Sequence, residues 1–384
     1  MLTGLEGAKR MIYLYHSDML GAPQLTQTPG AGIAVLDVLV NGFGAGTVDS
    51  IIVANGIATV TRSAGHPFER DAVALIAGAT PAALNGEKKV LGVTPTAYTF
   101  AAPGVANQTA TGSITHKLAG AGWTKAFTGT HTAAYKSSAA EATGCLLRVD
   151  DTDGQVMRCV GYESMTDIDS GSGPFPAQQQ IAGGGWWPKI FRHSASTDAA
   201  PWFIAADDRF FYLRVQFYSS GAAQTVGFGD FVPTKNPDAY ACMLVAAPTG
   251  HTTGTREEDA GAVGANAAWV ARSFTGLGGA AALNKAAAVP GWMGWGGQSG
   301  TFGIPFPNSP DNKLYTSVMT LSDAAFSNYR GNQPGALALC HPGLQGQFPQ
   351  GEVVENVAGY EGRRFRVMNN SVGAFLIDVT GPWR

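Results

Sequence analysis

Two acidic clusters, seven histidines and a pair of adjacent tryptophans are the residues of this sequence whose types and spacing could do chemistry. Asp150, Asp151 and Asp153 are spaced like the opening of a calcium loop. Gln155 stands where the next oxygen ligand belongs and no glutamate closes the loop, so the stretch predicts a hairpin turn at Asp153-Gly154, the glycine supplying positive φ. Asp167 and Asp169, before Ser170-Gly171, have the ligand types for a surface calcium but read as a solvated loop. Asp207-Asp208 follow Trp202 and Phe203, and acids beside aromatic rings suit sugar handling. A glycosidase needs two carboxylates about 5–9.5 Å apart. The simpler reading of PWFIAADDRFFYL is a core-facing strand with a polar edge.

Histidines 16, 66, 116, 131, 193, 251 and 341 are scattered singly, without the spacing of a metal site. There is no G-x-S-x-G and no phosphate loop, and GAGIAV at 30–35 lacks the third glycine of a dinucleotide fingerprint. The expectation is a chain that is not an enzyme and has no cofactor, metal or catalytic residues. In GGGWWPK, Trp186 and Trp187 cannot both face one core, because neighbours on a strand point to opposite faces. Trp186, Trp187 and Trp202, with Trp269, Trp292 and Trp295 further on, are therefore the candidate interface or ligand surface.

The elements that would carry these residues are mostly strands. Charged residues are 14% of the chain, against about 25% in an average soluble domain, which leaves little for surface helices. With 51 Gly and 21 Pro, the composition favours short strands and many turns. Residues 1–48 read as an N-terminal arm with one short helix at 31–41. From 49 to 118 the period changes to two, with Asn55-Gly56 the clearest hairpin signal, and six short strands predict a small β-barrel or sandwich. Residues 119–384 predict a larger antiparallel, jelly-roll-like β-sandwich, with a short capped helix at 322–329. The Gly/Ala-rich stretch at about 249–300 reads as an insertion, a functional loop or contact arm. The fold class expected is mainly β with few short helices.

A net charge of −3 and basic clusters no longer than Arg363-Arg364-Phe365-Arg366 argue against nucleic-acid binding. No run of 18 apolar residues exists to span a membrane, and the first twenty residues lack a secretory pattern. The cysteines at 145, 159, 242 and 340 therefore read as free buried thiols.

The segment GHPFERDAVALIAGATPAALNGEKKVLGVTPTAYTFA (65–101) resembles a small β-module frequent in tailed-bacteriophage structural proteins. The match rests on His66, Phe68, Asp71, Gly78-Ala79-Thr80, Leu84-Asn85-Gly86, Val90, Val93 and Phe100, with Pro67 and Arg70 departing from the pattern. The stretches at 16–44, 146–152, 161–176, RGNQPG (330–335) and IDVTGPWR (377–384) resemble a family of uncharacterised phage virion proteins found among tail genes. The resemblance implies a virion component, assembled in the host cytoplasm into a homo-oligomeric ring and contacting other virion proteins. Its place would be the tail tip, baseplate or fibre connection. A receptor-binding protein that grips a host-surface glycan and a head decoration protein are the other readings.

Overall fold

The computed structural model describes residues 11–190, 198–217, 221, 223–235, 237–248, 260, 264–287, 307–308, 310–325, 328–339, 348–370 and 373–384. The chain is mainly β, as its composition predicts: strands make up 47% and helices 4%, so sheet faces make most of the packing.

The 50–61 hairpin shows how the sequence specifies the smaller sheet. In Ser50–Ala54, Ile51 and Val53 are buried while Ile52 and Ala54 are exposed, the period-two pattern of a half-buried strand. Asn55 and Gly56 both have positive φ (50° and 75°), which the tight turn to Ile57–Thr61 requires. Eight strands between Gly46 and Leu118 form this sheet, ordered Gly46–Thr47, Thr115–Leu118, Val73–Ala77, Gly86–Thr94, Ala97–Ala101, Ile57–Thr61, Ser50–Ala54 and Gln108–Thr109. A bridge between Thr80 and Thr111 curls it into a small barrel around Val60, Val90, Tyr98 and Phe100.

Residues 31–41 are helical, broken once at Asp37 into Ala31–Leu36 and Val38–Asn41. They pack against a five-stranded sheet, Trp123–Gly129, Thr132–Ser137, Leu146–Asp150, Val156–Tyr162 and Gly185–Pro188. Barrel, helices and this sheet share one continuous apolar cluster.

The largest sheet has thirteen strands. From Trp202–Ala206 through Phe210–Val215, Gln224–Asp230, Cys242–Val245, Gly264–Val270, Ala281–Ala287 and Thr316–Asp323 to Tyr329–Leu339 it is a meander, each strand pairing with the next. Gly373–Asp378, Phe365–Asn370 and Val353–Val354 extend it. Val232–Pro233 pairs back onto Asn332 and Gly331, which bends the meander into a half-barrel. Its first strands have both faces buried. Trp202, Ile204, Phe211 and Leu213 join the shared cluster, and Phe203, Ala205, Phe210 and Tyr212 face a second one.

Three expectations are corrected. Residues 11–48 are not an arm. Tyr13–His16 pairs with Trp202–Ala206, and Met19, Leu25, Val35 and Leu39 are buried. The Gly/Ala-rich stretch is no insertion where it is described: Gly264–Val270 and Ala281–Ala287 are strands of the large sheet. Alanine has low strand propensity, and here pairing on both sides overrides it. No helix forms in the described part of 322–329, because Ser322 and Asp323 end one strand and Tyr329 begins the next.

Arg330 ties this last reversal down. Its side chain is buried and donates through Nη1 to Asp323 Oδ1 at 3.0 Å and to the Arg272 carbonyl at 3.0 Å. Nη2 donates to Asp238 Oδ2 at 3.0 Å. One guanidinium thus joins two loops to the end of a strand at the place where the half-barrel curls. Replacing Arg330 with Met leaves two acids without their cation and should lower the unfolding free energy by about 3–5 kcal/mol in urea titrations.

Candidate functional site: the seam between barrel and large sheet

The strand Gly185–Pro188 separates the two adjacent tryptophans as its period requires. Trp187 points into the core, where Nε1 donates to the Val245 carbonyl at 2.8 Å. Trp186 points outward, half-buried under the Arg158 guanidinium, which lies 3.8 Å from its ring centre. Trp202 is buried with Nε1 on the Pro23 carbonyl at 2.9 Å, and Trp269 is buried as well. The proposed tryptophan surface is therefore corrected. Trp187, Trp202 and Trp269 are core residues, Trp186 is a capped one, and Trp292 and Trp295 lie outside the described residues.

The acids are equally committed. Asp207 is buried and closes the turn between its two strands, Oδ1 accepting from the backbone N–H groups of Arg209 and Phe210 at 2.8 and 2.6 Å. Its other oxygen lies 3.3 Å from Arg384, and burial pushes the carboxyl above its ordinary range. Asp151 is paired with Lys189 at 2.5 Å, both side chains fully buried, and its second oxygen accepts from the N–H groups of Gly32 and Ile33. Lys189 also donates to the carbonyls of Thr28 and Asp153. Burial raises the Asp151 carboxyl against the pull of Lys189.

Asp153 Oδ1 accepts from the N–H of Gln155 and Val156, the expected turn. Gly154 is not at positive φ, however; its missing Cβ admits the Gln27 carbonyl, which a side chain would meet at 2.9 Å. Asp167 caps the N–H of Asp169, which pairs with Arg148. Among the described residues, no three His, Cys, Asp or Glu side chains stand close enough to hold a metal ion. Cys145, Cys159 and Cys242 are free and buried, and burial pushes the Cys159 and Cys242 thiols up.

The polar groups that converge from different parts of the chain do so where the barrel meets the large sheet. Asp71, buried and at positive φ (75°), takes both arms of the Arg364 guanidinium. Two residues along each partner, Glu69 accepts from Arg366 Nη1 at 2.5 Å and from the other side meets His16 Nε2 at 3.3 Å. Arg366 itself lies over the Phe203 ring. Lys89 donates to the carbonyls of Ile12 and Val379, and Tyr13 donates to Glu87. Glu69 and Asp71, in the turn before Val73–Ala77, meet Arg366 and Arg364, at the start of Phe365–Asn370, at matching intervals of two residues. The ArgArgPheArg run, too short for a basic patch, is spent on acids: Arg363 on Asp378, Arg364 on Asp71, Arg366 on Glu69.

Between these pairs lies a cavity of about 310 Å³, lined by Leu14, Glu69, Asp71, Val353, Glu355 and Arg366. Arg70, more exposed than these pairs, also lines it and stands 3.7 Å from Glu355, so each acid of the lining has a cationic partner and the pairs hold the two sheets together as a clamp. Sequence reading named Asp71 as part of a motif and noticed the arginine run. Nothing in their spacing links 71 to 364.

No protein-family model matches the chain, and no curated protein matches it. No described helix is long and apolar enough to cross a membrane.

If the seam is a clamp, Asp71 and Arg364 must be coupled. In a double-mutant cycle of Asp71→Ala and Arg364→Ala, unfolding free energies should reveal a coupling of about 2 kcal/mol. Additive losses would mean the two side chains act independently.

Proposed function

We propose that this chain is a structural subunit of a tailed-bacteriophage particle, placed in the tail, and that it works by assembly rather than by a reaction. The observation that carries this reading is the fate of the residues behind the phage resemblance. Asp71 holds Arg364 across the seam, and Asn85 bridges the N–H and C=O of Ala79 to fix the turn between two barrel strands. Arg330 of RGNQPG anchors two loops and a strand end, and Asp378 of IDVTGPWR holds Arg363. Each is consumed inside the body, which suits a rigid part that bears load.

A surface for neighbours is available on the barrel. Strands Ser50–Ala54, Ile57–Thr61 and Ala97–Ala101 contain no charged residue. Their outward side chains align in rows, Ile52–Thr59–Thr99 and Ala54–Ile57–Ala101. Ile52 is 50% exposed and Ile57 38%. A neutral row of this kind costs little to desolvate against another subunit, and a repeated contact between copies must close into a ring to avoid open filaments.

Two measurements test the reading. Mass spectrometry of gradient-purified particles should find the chain as a stoichiometric component. Sedimentation of the purified chain should show one closed oligomer that Ile52→Glu with Ile57→Glu dissociates without lowering the urea midpoint. A chain that stays monomeric and is absent from particles would overturn it.

A further inference from the structure

One cluster of titratable side chains takes no part in the seam. Inside the barrel, His116 on Thr115–Leu118 is buried, with Nδ1 3.0 Å from the Tyr98 hydroxyl and Nε2 buried without a hydrogen-bond partner. The Phe68 ring lies edge-on to His116 at 5.1 Å and against Tyr98 at 4.4 Å, and His66 stacks on Phe68 at 5.7 Å. The four rings form one box.

The second histidine ties two segments of the barrel together. His66 Nδ1 accepts from the Phe68 N–H at 3.2 Å, so that nitrogen carries no proton. Nε2 donates to the carbonyls of Thr94 and Ala97, the two ends of the turn joining Gly86–Thr94 to Ala97–Ala101. One imidazole thus fastens a barrel turn to the 66–68 segment. Protonating Nδ1 would set N–H against N–H and break that fastening.

The groups facing His116 are Tyr98, His66 and Arg62; the strands beside it present Gly46 and Ile76. Arg62 lies over Gly46, directly opposite His116 in register, close enough that a Cβ there would meet its guanidinium carbon at 2.6 Å. A charge on His116 would therefore be buried beside a cation, with no carboxylate among the groups that face it.

We propose that His66, Phe68, Tyr98 and His116 form an acid-sensitive latch that holds the small barrel shut at neutral pH and releases it when His116 takes up a proton. Burial, Arg62 and His66 push the His116 imidazole down to about 4. Its folded value is thus depressed below the free one of 6.5. The unfolded barrel binds this proton first as pH falls. The stabilisation is complete above 6.5, is lost on descending towards 4, and amounts to about 300-fold in the opening equilibrium.

The test uses the full chain with histidine labelled at Cε1, titrated by NMR from about pH 7.5 to about pH 4, alongside amide hydrogen exchange. His116 should stay neutral well below the ordinary histidine range. Barrel amides in Val73–Ala77, Ala97–Ala101 and Thr115–Leu118 should lose protection on acidification, while Phe210–Val215 keeps its own. Arg62→Gln, which removes the neighbouring cation, should move the opening to lower pH, and His116→Phe should abolish most of it. The proposal is overturned if His116 titrates as a free histidine. It is equally overturned if barrel protection is unchanged on acidification, or if Arg62→Gln leaves the opening where it was. The wild-type titration decides the matter even if His116→Phe does not fold.

Discussion

The structure depends on one constraint: the wall formed by Trp202–Ala206, Phe210–Val215 and Gln224–Asp230 is buried on both faces. An antiparallel sheet can leave one face in water, but this one presents aromatic or branched side chains on both. Something must cover each side. The helices, the five-stranded sheet and the barrel cover one face, and the curled second half of the large sheet covers the other. That requirement explains why Tyr13–His16 packs onto the wall instead of extending from it. It also explains why the meander bends until Val232–Pro233 meets Tyr329–Leu339.

A wall without a wet face has nowhere to put its polar groups except into one another. Asp207 turns back onto its own backbone. Asp230 takes Arg209 and the N–H and hydroxyl of Thr143, and Arg214 donates to the Asn369 carbonyl. The same economy holds at Lys189–Asp151, at Arg330 and along the seam. Buried pairs of this kind contribute little net stability over apolar replacements, but breaking one partner is costly. Their effect is on register and relative placement. A chain with only 14% charged residues uses many of them as internal locks, which leaves outward faces such as that of Ser50–Ala54 neutral.

What the sequence made legible follows from range. Asn55-Gly56 specifies its hairpin within a few residues, and the opposed fates of Trp186 and Trp187 follow from strand alternation alone. Mainly β architecture was readable from composition. The strand Ala281–Ala287 was not, because AALNKAA has no apolar alternation strong enough to stand out, and its pairing with Thr316–Asp323 decides its conformation. Tyr13–His16 is four residues long and acquires its role from Trp202–Ala206. The seam was hidden for the same reason. Asp71 and Arg364 become a pair only after two sheets are built and docked, and no local pattern records that.

The opposite argument holds for chemistry. An active site needs at least one group left poised, with a partner still to meet. Candidates of the right type exist here: two adjacent aspartates beside tryptophan, a buried lysine, three buried thiols. Geometry gives the aspartate to a turn and the lysine to an aspartate and two carbonyls, while burial keeps two of the thiols in their inert protonated form. His116 keeps one buried nitrogen without a hydrogen-bond partner, and what faces it is an arginine and a second imidazole. A buried histidine with one unpartnered nitrogen is a group on which a proton has a large effect. The pair it forms with Tyr98 lies inside the barrel, where a change of charge would act on how the barrel packs.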